Sequence, residues 1–223
     1  MNTQYKKHEQ LKMYFQNIDI KQYFGLIILI YILISILLNW FIIQDELYYK
    51  SLGEEFSTDV LNKIISLRNK WDWVGFIISP FFLFVKILLV ATCLEIGNFI
   101  FDWKLQLKQL LRIVILAETI FLIVAIVRII WFLVYPENLT LEYIQVYYPL
   151  SLINLVEIEN IPQYLIYPMQ LVNLFELVYW ITLAYLIKIY TNKSFDKSFD
   201  FVAKTYGVGL FTWVILFVFI SIN

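Results

Sequence analysis

The chain has 223 residues, of which 61% are hydrophobic, 19% aromatic and only 16% charged, and its mean hydropathy is +0.73. A soluble domain is about half apolar and a quarter charged. This composition therefore belongs to a membrane protein, and it excludes a nucleic-acid binder, a disulfide-built secreted module and an ordinary cytosolic enzyme. Seventeen basic and eighteen acidic residues leave a net charge of -1, so the chain has no overall attraction for polyanions. A single Cys93 and a single His8 rule out an internal disulfide and most metal sites.

Residues 1–22 read as a cytoplasmic amphipathic segment. Leu11, Tyr14, Phe15 and Ile18 recur at helical spacing among lysines, which fits a basic helix on the inner leaflet or a solvated leader into the first span. A helix needs about 20 apolar residues to cross a bilayer core of roughly 30 Å. Five stretches qualify, at about 23–44, 73–101, 111–135, 169–190 and 201–222, so the expected fold is all-α, a polytopic bundle forming one transmembrane domain over 23–223. The first stretch carries no charge and no small-residue cleavage site follows it. It is also too long for a signal peptide and is expected to remain as a helix.

Between the first two spans, Leu61, Ile64, Ile65 and Arg68 follow Ser57-Thr58-Asp59 in a helical pattern with a ready N-cap, predicting a surface helix resting on the membrane. Residues 136–168 hold no Lys or Arg. Their longest charge-free part, Tyr143 to Val156, contains Pro149 and is too short to cross, so the segment reads as an external interfacial hairpin rather than a sixth span. Asn138-Leu139-Thr140 there matches a glycosylation sequon. The loop before the last span repeats Lys-Ser-Phe-Asp twice, from Lys193 to Asp200, a length at which chance is a sufficient explanation.

Orientation follows from the basic residues. With the N-terminus inside and the C-terminus outside, Lys6, Lys7, Lys12, Lys21, Lys104, Lys108, Arg112, Lys188, Lys193, Lys197 and Lys204 are cytoplasmic, and only Lys50, Lys63, Arg68 and Lys70 are external. Trp40, Trp71, Trp73 and Trp131 then mark the outer interface and Trp103 the inner one, while Trp180 and Trp213 read as packing residues. The expected location is a bacterial cytoplasmic (inner) membrane.

The chain has no HExxH, GxSxG, P-loop or dinucleotide fingerprint. No catalytic residue, cofactor or metal site is expected, and Cys93 reads as a structural small residue. Gly75, Ser79, Lys86, Cys93 and Gly97 form one stripe of the second span; Asn173, Glu176, Trp180, Ala184 and Lys188 form another on the fourth. Charges inside a bilayer cost a few kcal/mol or more each and face protein or water. These faces, with the Glu118 and Arg128 side of the third span, are the expected interior. Depth at about 1.5 Å per residue matches three intramembrane ion pairs: Lys86 with Glu118, Arg128 with Glu176, and Glu95 with Arg112. Their role is either to fix the bundle or to line a polar path for an ion, proton or small solute.

Tyr167-Pro168-Met-Gln-Leu-Val-Asn173-Leu-Phe175-Glu-Leu-Val-Tyr-Trp180 opens a helix that is followed by a short Lys-bearing loop and a last helix. This stretch, from roughly Pro149 to Asn223, resembles bacterial members of the Yip-type (Ypt-interacting protein) five-helix membrane family, in which an Asn-x-Phe segment opens the penultimate helix. The resemblance implies a non-enzymatic integral membrane protein that organises membranes or partners other membrane proteins. The Asp-Leu-x-Gly-Pro type motif of the eukaryotic branch is absent, so no vesicle-trafficking role is carried over. Two functions compete: an accessory or scaffold subunit of a secretion or transport assembly, with other integral membrane proteins and the lipid bilayer as partners, and a small transporter or channel with a path along Lys86, Glu118, Arg128 and Glu176. The uncharged Ile/Leu surface of the first span favours the former.

Overall fold

The computed structural model describes residues 3–135, 139–158 and 161–222, with side chains from Glu9 onward. The sequon residue Asn138 and the His8 side chain lie outside them. The chain is all-α, with helices α1 (Thr3–Asn17), α2 (Ile20–Phe41), α3 (Asp45–Leu52), α4 (Thr58–Ile100), α5 (Leu107–Ala117), α6 (Thr119–Val134), α7 (Leu141–Val146), α8 (Gln163–Leu171), α9 (Leu174–Thr191), α10 (Phe195–Val202) and α11 (Val208–Ile222). Among the described residues, five helical runs are long and apolar enough to cross a membrane: α2, α4, α5–α6, α9 and α10–α11. Their outward surfaces carry large apolar side chains such as Phe99, Phe211 and Phe219, as a hydrocarbon solvent requires.

Three boundaries differ from the sequence reading. The expected surface helix is not separate: α4 begins at Thr58, next to Ser57, and continues through Pro80 to Ile100. Its 43 residues make a rod of about 65 Å. Hydropathy marks only the apolar part of such a rod, and the polar turns that precede it continue the same hydrogen-bonded ladder. The third span is interrupted at Glu118, which caps α5 before α6 starts at Thr119. The fourth span does not begin at residue 169. Backbone at Val172 and Asn173 leaves the helix, so α8 ends at Leu171 and α9 starts at Leu174. Between residues 139 and 168 the described segments are short: α7, a 3₁₀ turn at Leu152–Leu155 and α8.

The chain divides into two compact units, and the spanning runs α2, α4 and α5–α6 contribute to both. The first comprises Met1–Ile27, Phe84–Ile120 and Phe175–Asn223. Small residues let its helices approach closely: a Cβ on Gly97 would collide with Thr205, one on Gly207 with the Trp180 ring, and one on Gly209 with Cys93 Sγ. Asn98 clasps the α4–α5 loop, donating to Leu105 O at 2.8 Å and accepting from Leu105 N at 2.9 Å. This double bond holds a loop in which Asp102 and Lys104 take left-handed φ values of 48° and 60°. The Lys-Ser-Phe-Asp repeat forms a helical turn: Ser194 caps α10 by accepting from Lys197 N, and Phe195 stacks on Phe199.

The second unit comprises Ile28–Leu83 and Phe121–Leu174. Its buried cluster is Ile42, Leu47, Phe132, Leu139, Ile144 and Tyr147. Trp131 stacks on Tyr147 with ring centroids 5.3 Å apart and donates its indole N–H to the Tyr143 hydroxyl at 2.9 Å. Arg68 on α4 draws the neighbouring chain together, donating to Asn39 at 2.9 Å, facing Asp45 and Asp72, and lying over the Tyr48 ring.

Candidate functional site

The polar centre of the first unit is built from α4, the α5–α6 junction, α9 and the turn between α10 and α11. Lys86 Nζ lies 2.9 Å from Glu118 Oε1 and 3.1 Å from Oε2, and only the second contact has hydrogen-bond geometry. The Glu118 side chain is 0% exposed and that of Lys86 38%, so the carboxylate depends on this one ammonium for its charge balance. Glu118 stands at the junction of α5 and α6, with its backbone still in the right-handed helical region. Thr119 turns its hydroxyl back to Leu116 O at 2.8 Å and meets the Tyr23 hydroxyl of α2.

Glu176 is buried in the first turn of α9, and its Oε1 accepts from Trp180 Nε1 at 2.9 Å and from the Tyr206 hydroxyl at 2.6 Å. Tyr206 is aimed by a π-helical turn, Ala203–Gly207, inserted between α10 and α11. Such turns add a residue to the helix and are frequent where a side chain must be redirected. The Tyr179 ring completes the group, 5.5 Å from Lys86 Nζ and edge-on to Tyr206 at 5.5 Å. Glu176 also feels the charges of Lys86 and Glu118. One ammonium, two carboxyl groups and a phenol thus form a single hydrogen-bonded and electrostatic network that ties four spanning runs.

Of the three pairs expected from depth, the structure brings Lys86 and Glu118 together. The other two have different partners. Arg128 belongs to the second unit, where it donates to Ile144 O at 2.8 Å and lies over the Phe132 ring, whereas Glu176 is held by Trp180 and Tyr206. Depth counting placed Glu176 seven residues into a helix, but α9 starts five residues later than assumed, so the carboxylate sits in the first turn. Glu95 accepts from Asn98 Nδ2 at 3.2 Å, three residues along its own helix. Arg112 turns instead to the end of α1, where one of its terminal nitrogens donates to the carbonyls of Phe15, Gln16 and Ile18 at 2.7–3.0 Å. Those carbonyls carry the negative end of a helix dipole and satisfy a guanidinium without a carboxylate.

Sequence reasoning missed Tyr206, Tyr179 and Asn98. It placed Trp180 on one stripe with Glu176, four residues apart and so on the same helix face, but read it as a packing residue rather than as a hydrogen-bond donor to that carboxylate. For Tyr206 the only hint was its small neighbours Gly207 and Gly209. Trp213, also expected to pack, is 47% exposed. Of the glycines on the second span, Gly97 meets a neighbour and Gly75 meets nothing within 4 Å.

The fold and this network define a class: an all-α, multi-pass membrane protein with five candidate spans and an internally bonded polar centre. No protein-family model, curated protein or solved structure matches the chain.

Proposed function

We propose that the chain is a non-catalytic integral membrane protein that serves as an accessory or scaffold subunit of a larger membrane assembly for secretion or transport. The observation that supports this reading is how the ionisable groups of the spanning runs are engaged. Lys86 holds Glu118, Tyr206 and Trp180 hold Glu176, and Arg128 holds a main-chain carbonyl. Charges engaged in this way fix helix register, the best-attested use of buried ion pairs, and leave an apolar exterior as the surface for other spanning helices. The Yip-type resemblance points the same way. The proposal includes the N-terminus inside and the C-terminus outside, on the eleven-to-four distribution of basic residues, in a bacterial cytoplasmic membrane.

The alternative is a small transporter or channel. It draws on the gathering of Lys86, Glu118, Glu176 and Tyr206 at one place. Extraction in mild detergent followed by mass measurement separates the two. An assembly subunit migrates with other polypeptides at a mass well above its own 26.8 kDa plus detergent. A clean monomer or homo-oligomer that supports solute flux in vesicles would reject the subunit and establish the transporter.

A further inference from the structure

The paired segment of the second unit has the polarity of a membrane-buried element. Two extended strips, around Leu150–Leu152 and Val172–Leu174, pair antiparallel at Ser151 and Asn173. Leu174 N donates to Leu150 O at 3.1 Å and Leu152 N to Val172 O at 3.0 Å. The carbonyls left open by the nearby helix ends and turns are met by amide and hydroxyl side chains. Gln170 Nε2 donates to Gln145 O and Val146 O, Asn173 Nδ2 to Gln170 O and Leu171 O, and Ser151 Oγ and Asn154 Nδ2 to Tyr148 O.

Water would satisfy these groups at no structural cost, whereas hydrocarbon offers nothing, so an element in lipid must bond them internally. Leu150, Leu152, Leu155, Val156, Val172 and Leu174 are 42–79% exposed, Ser151 and Ile153 are buried, and the exposed Asn154 spends its amide on Tyr148 O. No charged residue occurs from 143 to 156 or from 161 to 175. A loop in water does not leave so many large apolar side chains uncovered together.

Helix length gives an independent reason. Leu174 is both the last residue of the paired strip and the first of α9. The 18 residues of α9, Leu174–Thr191, rise about 27 Å against a hydrocarbon core of roughly 30 Å. The fourth span is at the short end for a crossing helix, because the chain leaves the helix at Val172 rather than continuing back to residue 169.

We propose that the strips Leu150–Leu155 and Val172–Leu174 lie in bilayer hydrocarbon as a re-entrant element, with acyl chains as the partner of their exposed leucines and valines. The described residues 139–158 then do not rest wholly at the interface. The purified full-length chain, as Cys93→Ala, is spin-labelled at Leu155→Cys, Val172→Cys or Leu174→Cys in lipid nanodiscs, and collisions with oxygen and with a water-soluble nickel chelate are compared. Phe219→Cys on α11 is the lipid reference and Lys63→Cys on α4 the water reference. The expected result is a several-fold preference for oxygen at all three sites, as at Phe219. Preference for nickel, as at Lys63, overturns the proposal, and so does low access to both reagents, which means that protein covers the strips. If the cysteine variants fail to fold, the wild-type chain is photolabelled with a lipid-soluble diazirine. Adducts in the 150–156 peptide uphold the proposal, and labelling there only by a water-soluble diazirine overturns it.

Discussion

The two units use polar groups in opposite ways. Of the six buried polar or charged residues among those described, five (Asn98, Glu118, Glu176, Ser198 and Thr205) are in the first unit, and only Ser151 is in the second. The first unit packs its helices on small residues and ties them through buried charge. The second builds its core from stacked rings and keeps its ion network, Arg68 with Asp45 and Asp72, on more accessible carboxylates. A buried charge contributes little net stability, yet it makes every alternative arrangement costly because a lone charge cannot be left in a low dielectric. An aromatic cluster stabilises by area and tolerates adjustment. The first unit is therefore the one in which single substitutions carry large penalties.

The largest expected effect is at Glu118. Glu118→Gln strands Lys86 without its counter-charge and lowers stability by about 3–5 kcal/mol, while Glu118→Gln with Lys86→Met recovers most of it. Thermal unfolding in detergent measures both. A double variant no better than the worse single would remove the ion pair from the account of the first unit.

Next come two glycines of α4, one in each unit. Gly97→Ala places a methyl group against Thr205 and costs about 1–3 kcal/mol by overpacking. Gly75→Ala meets nothing within 4 Å and gains up to about 1 kcal/mol from helix propensity. Opposite signs for the same substitution on one helix sharpen the contrast; equal signs break it.

The smallest effect is in the second unit. Asp45 is 55% exposed beside Arg68, with the closest approach 3.6 Å, so Asp45→Asn shifts stability by less than about 1 kcal/mol. Raised salt should reduce the shift further. A loss near that of Glu118→Gln would show that the two units do not differ in their use of charge.

The spans were legible because length and hydropathy are summed over about 20 residues and tolerate local irregularity. The Lys86–Glu118 pair was legible because both residues lie on segments whose helical course near them matches the depth count. Glu176 was misplaced for the converse reason. Asn173 breaks the helix through side-chain bonds to Gln170 O and Leu171 O, a local contest that apolar periodicity does not register. The same holds for the π-helical turn before Val208, since one added residue leaves the composition of the segment unchanged while rotating Tyr206 onto Glu176. The fusion of the loop helix into α4 was hidden because hydropathy reports solvent, not backbone continuity.

The grip of Arg112 on the end of α1 has a further consequence. It reads three main-chain oxygens, so the bonds themselves do not depend on which side chains stand at Phe15, Gln16 and Ile18. A joint of this kind lets the exposed side chains of Gln16 and Asn17 be exchanged while the attachment point stays where it is. The freedom is one-sided. An ammonium lacks the planar nitrogen that points two hydrogens at a turn of carbonyls, so even Lys at position 112 gives a looser joint.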